Sequence, residues 1–305
     1  MRETFASLGM TEELSFSFTS ETALDKLCVP MDSPLRRAIP IMNPLTDEYP
    51  LVRTTLLTSI LENAARNVAR KNLDLRLFDI APVFFPKALP LTELAEEKLK
   101  AAGLLTGRRS PVAWDTDNTV VDFYDAKGVL ERFLTVIGVQ KYTVERGEHF
   151  AMHPGKTAFF KKGRDVIAVL GEIHPTVAAN FGIGQNVYVF EMDAETLLRY
   201  RRKKSTIKPL PKYPASARDL AILVDADLTT AEIERVIAKK GGKYFRHATL
   251  FDIYAGKQVG EGKKSMAFHL HFQSDDKTLT DEEVDAAFAA ILQAVEEQLH
   301  AQLRG

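Results

Sequence analysis

The sequence predicts an α+β protein made of two domains. Three observations carry that expectation. Between Arg53 and Phe85 a helical repeat of apolar residues turns into a strand repeat. Over residues 213–305 the patterns follow in the order β-α-β-β-α-β, the ferredoxin-like arrangement. Between these regions, residues 201–212 form a basic, proline-containing stretch that reads as a stiff linker.

The first observation rests on named residues. Leu56, Leu57, Ile60, Leu61, Ala64 and Val68 recur at helical spacing, with Glu62, Asn63, Arg66, Asn67, Arg70 and Lys71 on the other side. Leu73, Leu75 and Leu77 then alternate with Asp74 and Arg76, which is strand spacing. The run Phe78 to Phe84 is apolar on both faces apart from Asp79, and Pro82 is expected to end clean pairing. This strand is expected at the centre of a large sheet.

The remaining elements follow in chain order. Arg2 to Met10 reads as a short helix ended by Gly9. Leu14, Phe16 and Phe18 alternate with Ser15 and Ser17, predicting a strand with one buried face. Five prolines between Pro30 and Pro50 predict a loop, with a short strand at Ala38 to Met42. The charges from Glu93 to Lys100 read as a solvated face or loop, followed by a strand at Ala101 to Leu105. Asp122 to Ile137 is a helix, and Lys141–Arg146, Thr157–Lys161, Val166–Glu172 and Asn186–Met192 are strands. Pro175 suits the first turn of a helix running to Phe181, and Thr196 to Tyr200 reads as a helical turn.

In the last region Leu220–Val224, Ala248–Tyr254 and Lys264–Gln273 are strands, and Gln302–Arg304 is a closing one. Thr229 with Glu232 and Thr280 with Glu283 are capping boxes that open two helices. Both helices must then lie on one side of the sheet, leaving its other face open.

The bulk numbers restrict function. The chain has 305 residues and 45% apolar content, enough for a full core. Lys and Arg number 40 against 41 for Asp and Glu, so no overall field attracts nucleic acid or membrane. The single Cys28 excludes an internal disulfide and a cysteine-rich metal site, in keeping with a reducing cytosol. No uncharged segment approaches the roughly 20 residues of a membrane span. Arg2-Glu3-Thr4 opens a polar helix, so no signal peptide is expected.

Several stretches together resemble one family. They are Asn43-Pro44-Leu45, Arg53-Thr54-Thr55-Leu56-Leu57, Leu61-Glu62-Asn63, Arg76-Leu77-Phe78-Asp79-Ile80 and Val121 to Gly128. Met152-His153-Pro154-Gly155, Gly171 to Pro175, Tyr213-Pro214, Arg218-Asp219 and Lys277 to Val284 continue the series. In this order and spacing the chain is similar to the C-terminal part of the β subunit of bacterial phenylalanyl-tRNA synthetase. The family's N-terminal tRNA-binding, helix-turn-helix-like and editing modules are expected to be missing from it.

The resemblance implies a class II synthetase-like core over residues 1–200, an antiparallel sheet with helices. It implies a ferredoxin-fold anticodon-binding domain over 213–305. The core of this subunit is a degenerate copy, so no catalytic residue is assigned. In such enzymes the α subunit uses ATP and Mg2+ to activate phenylalanine and charge tRNA(Phe). The implied partners are that α subunit, in a cytoplasmic (αβ)2 heterotetramer, and tRNA(Phe), with no membrane. The helix Thr54 to Arg70 is expected near the subunit contact.

The residues agree with an inactive core. A triphosphate needs cations at two places, one of them closing a Gly-rich element. Gly182-Ile183-Gly184 runs into Gln185-Asn186-Val187 without an arginine. Arg76 could stand in for the other cation, but Phe78-Asp79 does not supply its acidic partner at the usual offset.

Two sets of candidate contacts lie in the last domain. His269 and His271 project from one face of a strand, opposite Met266, Phe268, Leu270 and Phe272. Alternation puts Asp252 and Tyr254 on that same face, with Phe251 and Ile253 turned away. Tyr254, His269 and His271 could stack nucleobases on an open sheet, or form an ordinary solvated face. Arg218, Lys243, Arg246, Lys263 and Lys264 could hold phosphates, or serve only solubility. No metal is assigned, because two histidines lack a third ligand. His153-Pro154 and His174-Pro175 read as a turn or helix start, and Cys28 as a small apolar side chain. The alternative reading is a free-standing amino-acid-binding or ligase-like protein with a ferredoxin-like regulatory domain.

Overall fold

The computed structural model describes residues 1–202 and 209–304. The chain divides into two compact units, Met1–Ser205 and Thr206–Gly305. Residues 203–208 of the expected linker lie outside the described residues.

The first unit opens with α1 (Arg2–Ser7), which Gly9 closes at φ +79°, a left-handed turn that glycine adopts without strain. Next come β1 (Thr11–Glu12), β2 (Phe18–Thr19), α2 (Glu21–Lys26) capped by Ser20, and β3 (Leu51–Val52). The expected helix and strand are α3 (Leu57–Ala69) and β4 (Leu75–Phe85). They lead to β5 (Glu96–Thr106) and to α4 (Phe123–Val136), where Asp122 and Asp125 form a capping box. The unit continues with β6 (Thr143–Arg146), β7 (Met152–Lys162), β8 (Asp165–Ile173), α5 (Pro175–Asn180), β9 (Val187–Asp193) and α6 (Ala194–Tyr200).

Seven strands form one sheet in the order β1-β4-β5-β9-β8-β7-β6. β1 runs parallel to β4, and the other pairs are antiparallel. Alternate residues feed two cores. Ala102 and Leu104 of β5 join Leu57, Ile60, Leu61 and Ala64 of α3, with α2 and α5 on the same side. Ala101 and Leu105 face Phe5 of α1, Leu130 and Phe133 of α4 and Leu197 of α6. Each fully buried Leu or Phe adds roughly 1.5–3 kcal/mol, so helices on both faces are the source of the unit's stability.

The structure corrects five expectations in this unit. β4 is second in the sheet, and β9 is its middle strand. A strand apolar on both faces reports helices above and below it, not its rank in the sheet. Pro82 does not end pairing, since β4 continues against β5 to Phe85↔Glu96. Its neighbours of equal parity turn their backbone groups away from β5: Phe78 O accepts from Glu13 N and Phe84 N donates to Arg53 O. The missing N–H of Pro82 falls on that side, where its carbonyl accepts from Arg53 Nε at 3.0 Å. The charged stretch before Ala101 is strand from Glu96 onward, and Ala38–Met42 contributes only a bridge from Pro40 to Leu51.

The fifth correction concerns Leu14 to Phe18. Only Phe18 and Thr19 are strand, and Leu14 and Phe16 are 91% and 81% exposed. The serine side is the one turned inward. Ser15 donates to Asp79 and accepts from Arg53 Nη1 at 2.5 Å. Buried Arg53 and Asp79 need polar partners more than the core needs two further apolar side chains.

The second unit holds β10 (Ser216–Asp225), α7 (Thr230–Lys240), β11 (Phe245–Tyr254), β12 (Lys263–Phe272), α8 (Asp281–Leu299) and β13 (Gln302–Leu303). Both predicted capping boxes are formed. The antiparallel order β11-β12-β10-β13 is the ferredoxin-like one. Leu220, Ile222 and Val224 pack with Met266, Phe268, Leu270 and Phe272 against Ile233, Ile237, Val284, Ile291 and Val295. The core lies on the helix side of this sheet.

Candidate nucleic-acid interface

The register of the second sheet decides what its other face carries. Cross-strand partners share a face. His271 pairs with His247 and Ala217, His269 with Thr249 and Asp219, and Ser265 with Tyr254. Tyr254, His269 and His271 therefore share the face opposite the buried Phe268 and Leu270. The His247 and His271 rings stack at 4.3 Å and 16°.

A register break between Leu250 and Asp252 adds a residue to β11. It brings the Phe251 ring 4.0 Å over His269 at 14°. Strict alternation had placed Phe251 on the helix side, so this is a correction with a bulge as its cause. Ile253 does stand opposite the buried Met266. Tyr254 is 38% exposed, with Arg304 Cζ 5.9 Å from its ring. Gly256 leaves room for its hydroxyl, since a Cβ there would sit 2.6 Å away.

His269 is held by a further contact. Its Nδ1 lies 2.5 Å from Asp219 Oδ1. The face thus presents two stacked ring pairs and one tyrosine, with His247, Phe251, Asp219 and Arg304 added to the residues named from sequence. Strict alternation back from Tyr254 turns His247 to the helix side, so His247 too reaches this face only through the register break. The bulge that turns Phe251 has no sequence signal in this chain.

The cations are not gathered on this face. Arg218 pairs across from the buried Leu270, so it projects to the helix side. Its guanidinium bonds Asp281 and Asp285 at 3.0 Å, and these bonds push its pKa up. Lys264 stands opposite Val224 and donates to the carbonyls of Ala226 and Leu228. Lys243 lies 4.7 Å from the Tyr244 ring, and Arg246 is 3.0 Å from Asp275. Those two share a cleft with Ser274, Asp276 and Lys277. Lys263 pairs with Asp225 at 2.6 Å. The rings are brought together, and the nominated cations are dispersed among acidic, carbonyl or, for Lys243, aromatic partners.

In the first unit the polar groups mostly serve each other. The N-terminus of α3 is a natural anion site, and Glu191 fills it. Its Oε1 accepts from Leu56 N at 2.9 Å and Thr55 Oγ1 at 2.7 Å, and its Oε2 from Lys100 at 2.5 Å. Burial opposes ionisation there, but Lys100, Thr55 and the Leu56 N–H together hold the carboxyl below its usual range. Arg76 donates to Arg109 O, and Gln185 spends its amide on Leu73 O and Thr106 Oγ1. His153 and His174 accept through Nδ1 from Gly155 N and Thr176 N, which makes them turn and cap residues. Cys28 is exposed rather than packed as a small apolar side chain. Among the described residues no cluster of three or more His, Cys, Asp or Glu could hold a metal ion, and no helix is long and apolar enough to cross a membrane.

A large mixed sheet covered on both faces, with a ferredoxin-like unit bearing a ring-lined open face, defines a two-module α+β protein. Family comparison identifies both modules. Residues 1–194 match the phenylalanyl tRNA synthetase beta chain CLM domain, and residues 211–304 match the ferredoxin-fold anticodon binding domain. The chain belongs to the phenylalanyl-tRNA synthetase β-chain family. It is 39% identical over 306 residues to a phenylalanine–tRNA ligase beta subunit of Syntrophotalea carbinolica, covering 100% of this chain and 38% of that protein. Beta subunits of Geobacter sulfurreducens and Clostridium acetobutylicum are 38% and 37% identical, over 99% and 98% of this chain. The chain thus spans well under half of these relatives, 36–38% of their length.

Proposed function

We propose that this chain is the part of a phenylalanine–tRNA ligase β subunit that docks the catalytic α subunit and binds the anticodon stem-loop of tRNA(Phe). The observation that carries the second role is the grouping of Tyr254, His269 and His271 with Phe251 and His247 on one open sheet face. Single-stranded bases stack on such rings without need of a deep pocket.

Two features support the docking role. Leu14, Phe16, Met31, Met42 and Leu45 are each at least 81% exposed, within the first 45 residues. Their concentration in one short stretch of chain supports a docking surface there. Two groups that could meet a nucleotide in the first unit are engaged otherwise: Glu191 accepts from the Leu56 N–H at the start of α3, and Arg76 donates to a carbonyl. ATP and Mg2+ are then used on the α subunit of a cytoplasmic (αβ)2 assembly, and this chain positions rather than transforms.

Light-scattering mass with and without added α subunit tests the docking. A heteromeric mass is expected, and two unassociated species would refute it. ATP–pyrophosphate exchange by the chain alone is expected to match a no-enzyme control. Phenylalanine-dependent exchange above that control would remove the non-catalytic reading.

A further inference from the structure

His269 is held more tightly than a stacking platform requires. Phe251 fixes the plane of its ring, at 4.0 Å and 14°. Asp219 fixes its rotation within that plane, through the 2.5 Å contact at Nδ1. These two residues come from the two strands that flank β12, so the ring is clamped from both sides. By contrast, His247 and His271 meet ring on ring, at 4.3 Å.

The clamp also sets the chemistry of the ring. An ionised carboxylate only accepts, so the proton of a neutral His269 resides on Nδ1. Nε2 is left as a hydrogen-bond acceptor in a fixed direction. Its complement is an N–H on the edge of a nucleobase.

We infer that His269 reads a base edge, accepting a hydrogen bond from a nucleobase N–H at Nε2, with Asp219 and Phe251 as its positioning residues. The inference rests on the open face being the RNA-binding one. It adds sequence discrimination to a face whose stacking alone would tolerate any base. It also explains why an acidic residue stands on a surface proposed to meet RNA. Asp219 serves the histidine, and one of its oxygens is committed there.

The test is a cycle of protein and RNA variants on the whole chain. The probe is a labelled tRNA(Phe) anticodon stem-loop, with base analogues lacking one N–H donor at each anticodon position in turn. One analogue is expected to weaken wild-type binding about three- to tenfold, the size of one net hydrogen bond. His269→Phe keeps the stacking surface. It should bind the unmodified RNA more weakly by that same factor, and should no longer distinguish the analogue. Asp219→Ala removes the acceptor and should lose the same discrimination, and the ring 15N shifts of His269 should report a change from the Nδ1–H tautomer. Discrimination retained in His269→Phe overturns the inference and leaves the RNA face standing. Unchanged ring shifts in Asp219→Ala also overturn it, since the clamp would not set the tautomer. Absence of wild-type binding to the stem-loop overturns the RNA face itself, and the inference with it.

Discussion

Arg53 Nη1 and Asp79 Oδ2 lie 3.6 Å apart with side chains only 1% and 3% exposed. Ser15 bridges them, and the Pro82 and Phe16 carbonyls accept from Arg53 Nε and Nη1. Burial pushes Arg53 down and Asp79 up, each against the ionised form that its partner favours. The pair ties the segment before β2 to the edge of β4, and its members are costly to leave alone.

Asp79→Ala therefore leaves a buried arginine without a counter-ion. The expected loss is about 3–5 kcal/mol in urea unfolding of the first unit. A double substitution of Arg53 and Asp79 to apolar residues of similar volume should recover a large part of it. Equal instability of the single and double variants would contradict the account.

Glu13 gives a pH signature. Burial is the largest influence and pushes its carboxyl from 4.5 to about 7, against the bond from Asn63; Asp79 adds to the rise, and Arg66 and Arg53 oppose it. Its Oε1 has no partner. A carboxyl raised on folding contributes no penalty below pH 4.5. The penalty grows as pH rises towards 7 and is complete above it. Glu13→Gln should thus unfold with nearly wild-type stability at pH 4.5, and should be more stable at pH 8 by up to about 3 kcal/mol. Parallel stability profiles for the two proteins would show that Glu13 does not titrate as described.

Gly103 of β5 stands directly across from Phe190 of β9, whose ring crosses over it on the α4 side of the sheet. A Cβ there would meet Phe190 Cζ at 2.1 Å. Phe190 is fully buried near the stacked Phe5 and Phe133. Gly103→Ala is expected to cost about 1–3 kcal/mol as the ring is displaced. An unchanged thermal midpoint would mean that the ring has room to move.

Much of this was legible in the residues. The capping boxes Thr229–Glu232 and Thr280–Glu283, the ferredoxin-like order and the shared face of Tyr254, His269 and His271 all follow from local chemistry and strict alternation. What escaped depends on partners distant in sequence. Leu14 and Phe16 alternate as a buried strand would, yet Arg53 and Asp79 draw Ser15 inward instead. Glu191 caps α3 from a strand 135 residues away, which no local pattern announces. The bulge at Phe251 arises from how β11 meets β12, and Arg218 looks available for phosphate until α8 brings Asp281 and Asp285 to it.

The central claim is that the ring-lined face of the second unit binds RNA. Fluorescence anisotropy of a labelled tRNA(Phe) anticodon stem-loop, titrated with the whole chain and with its Tyr254→Ala variant, tests it most directly. The account predicts a loss of about tenfold in the variant, the worth of one base stack at roughly 1–3 kcal/mol. Equal affinity of the two proteins would contradict it.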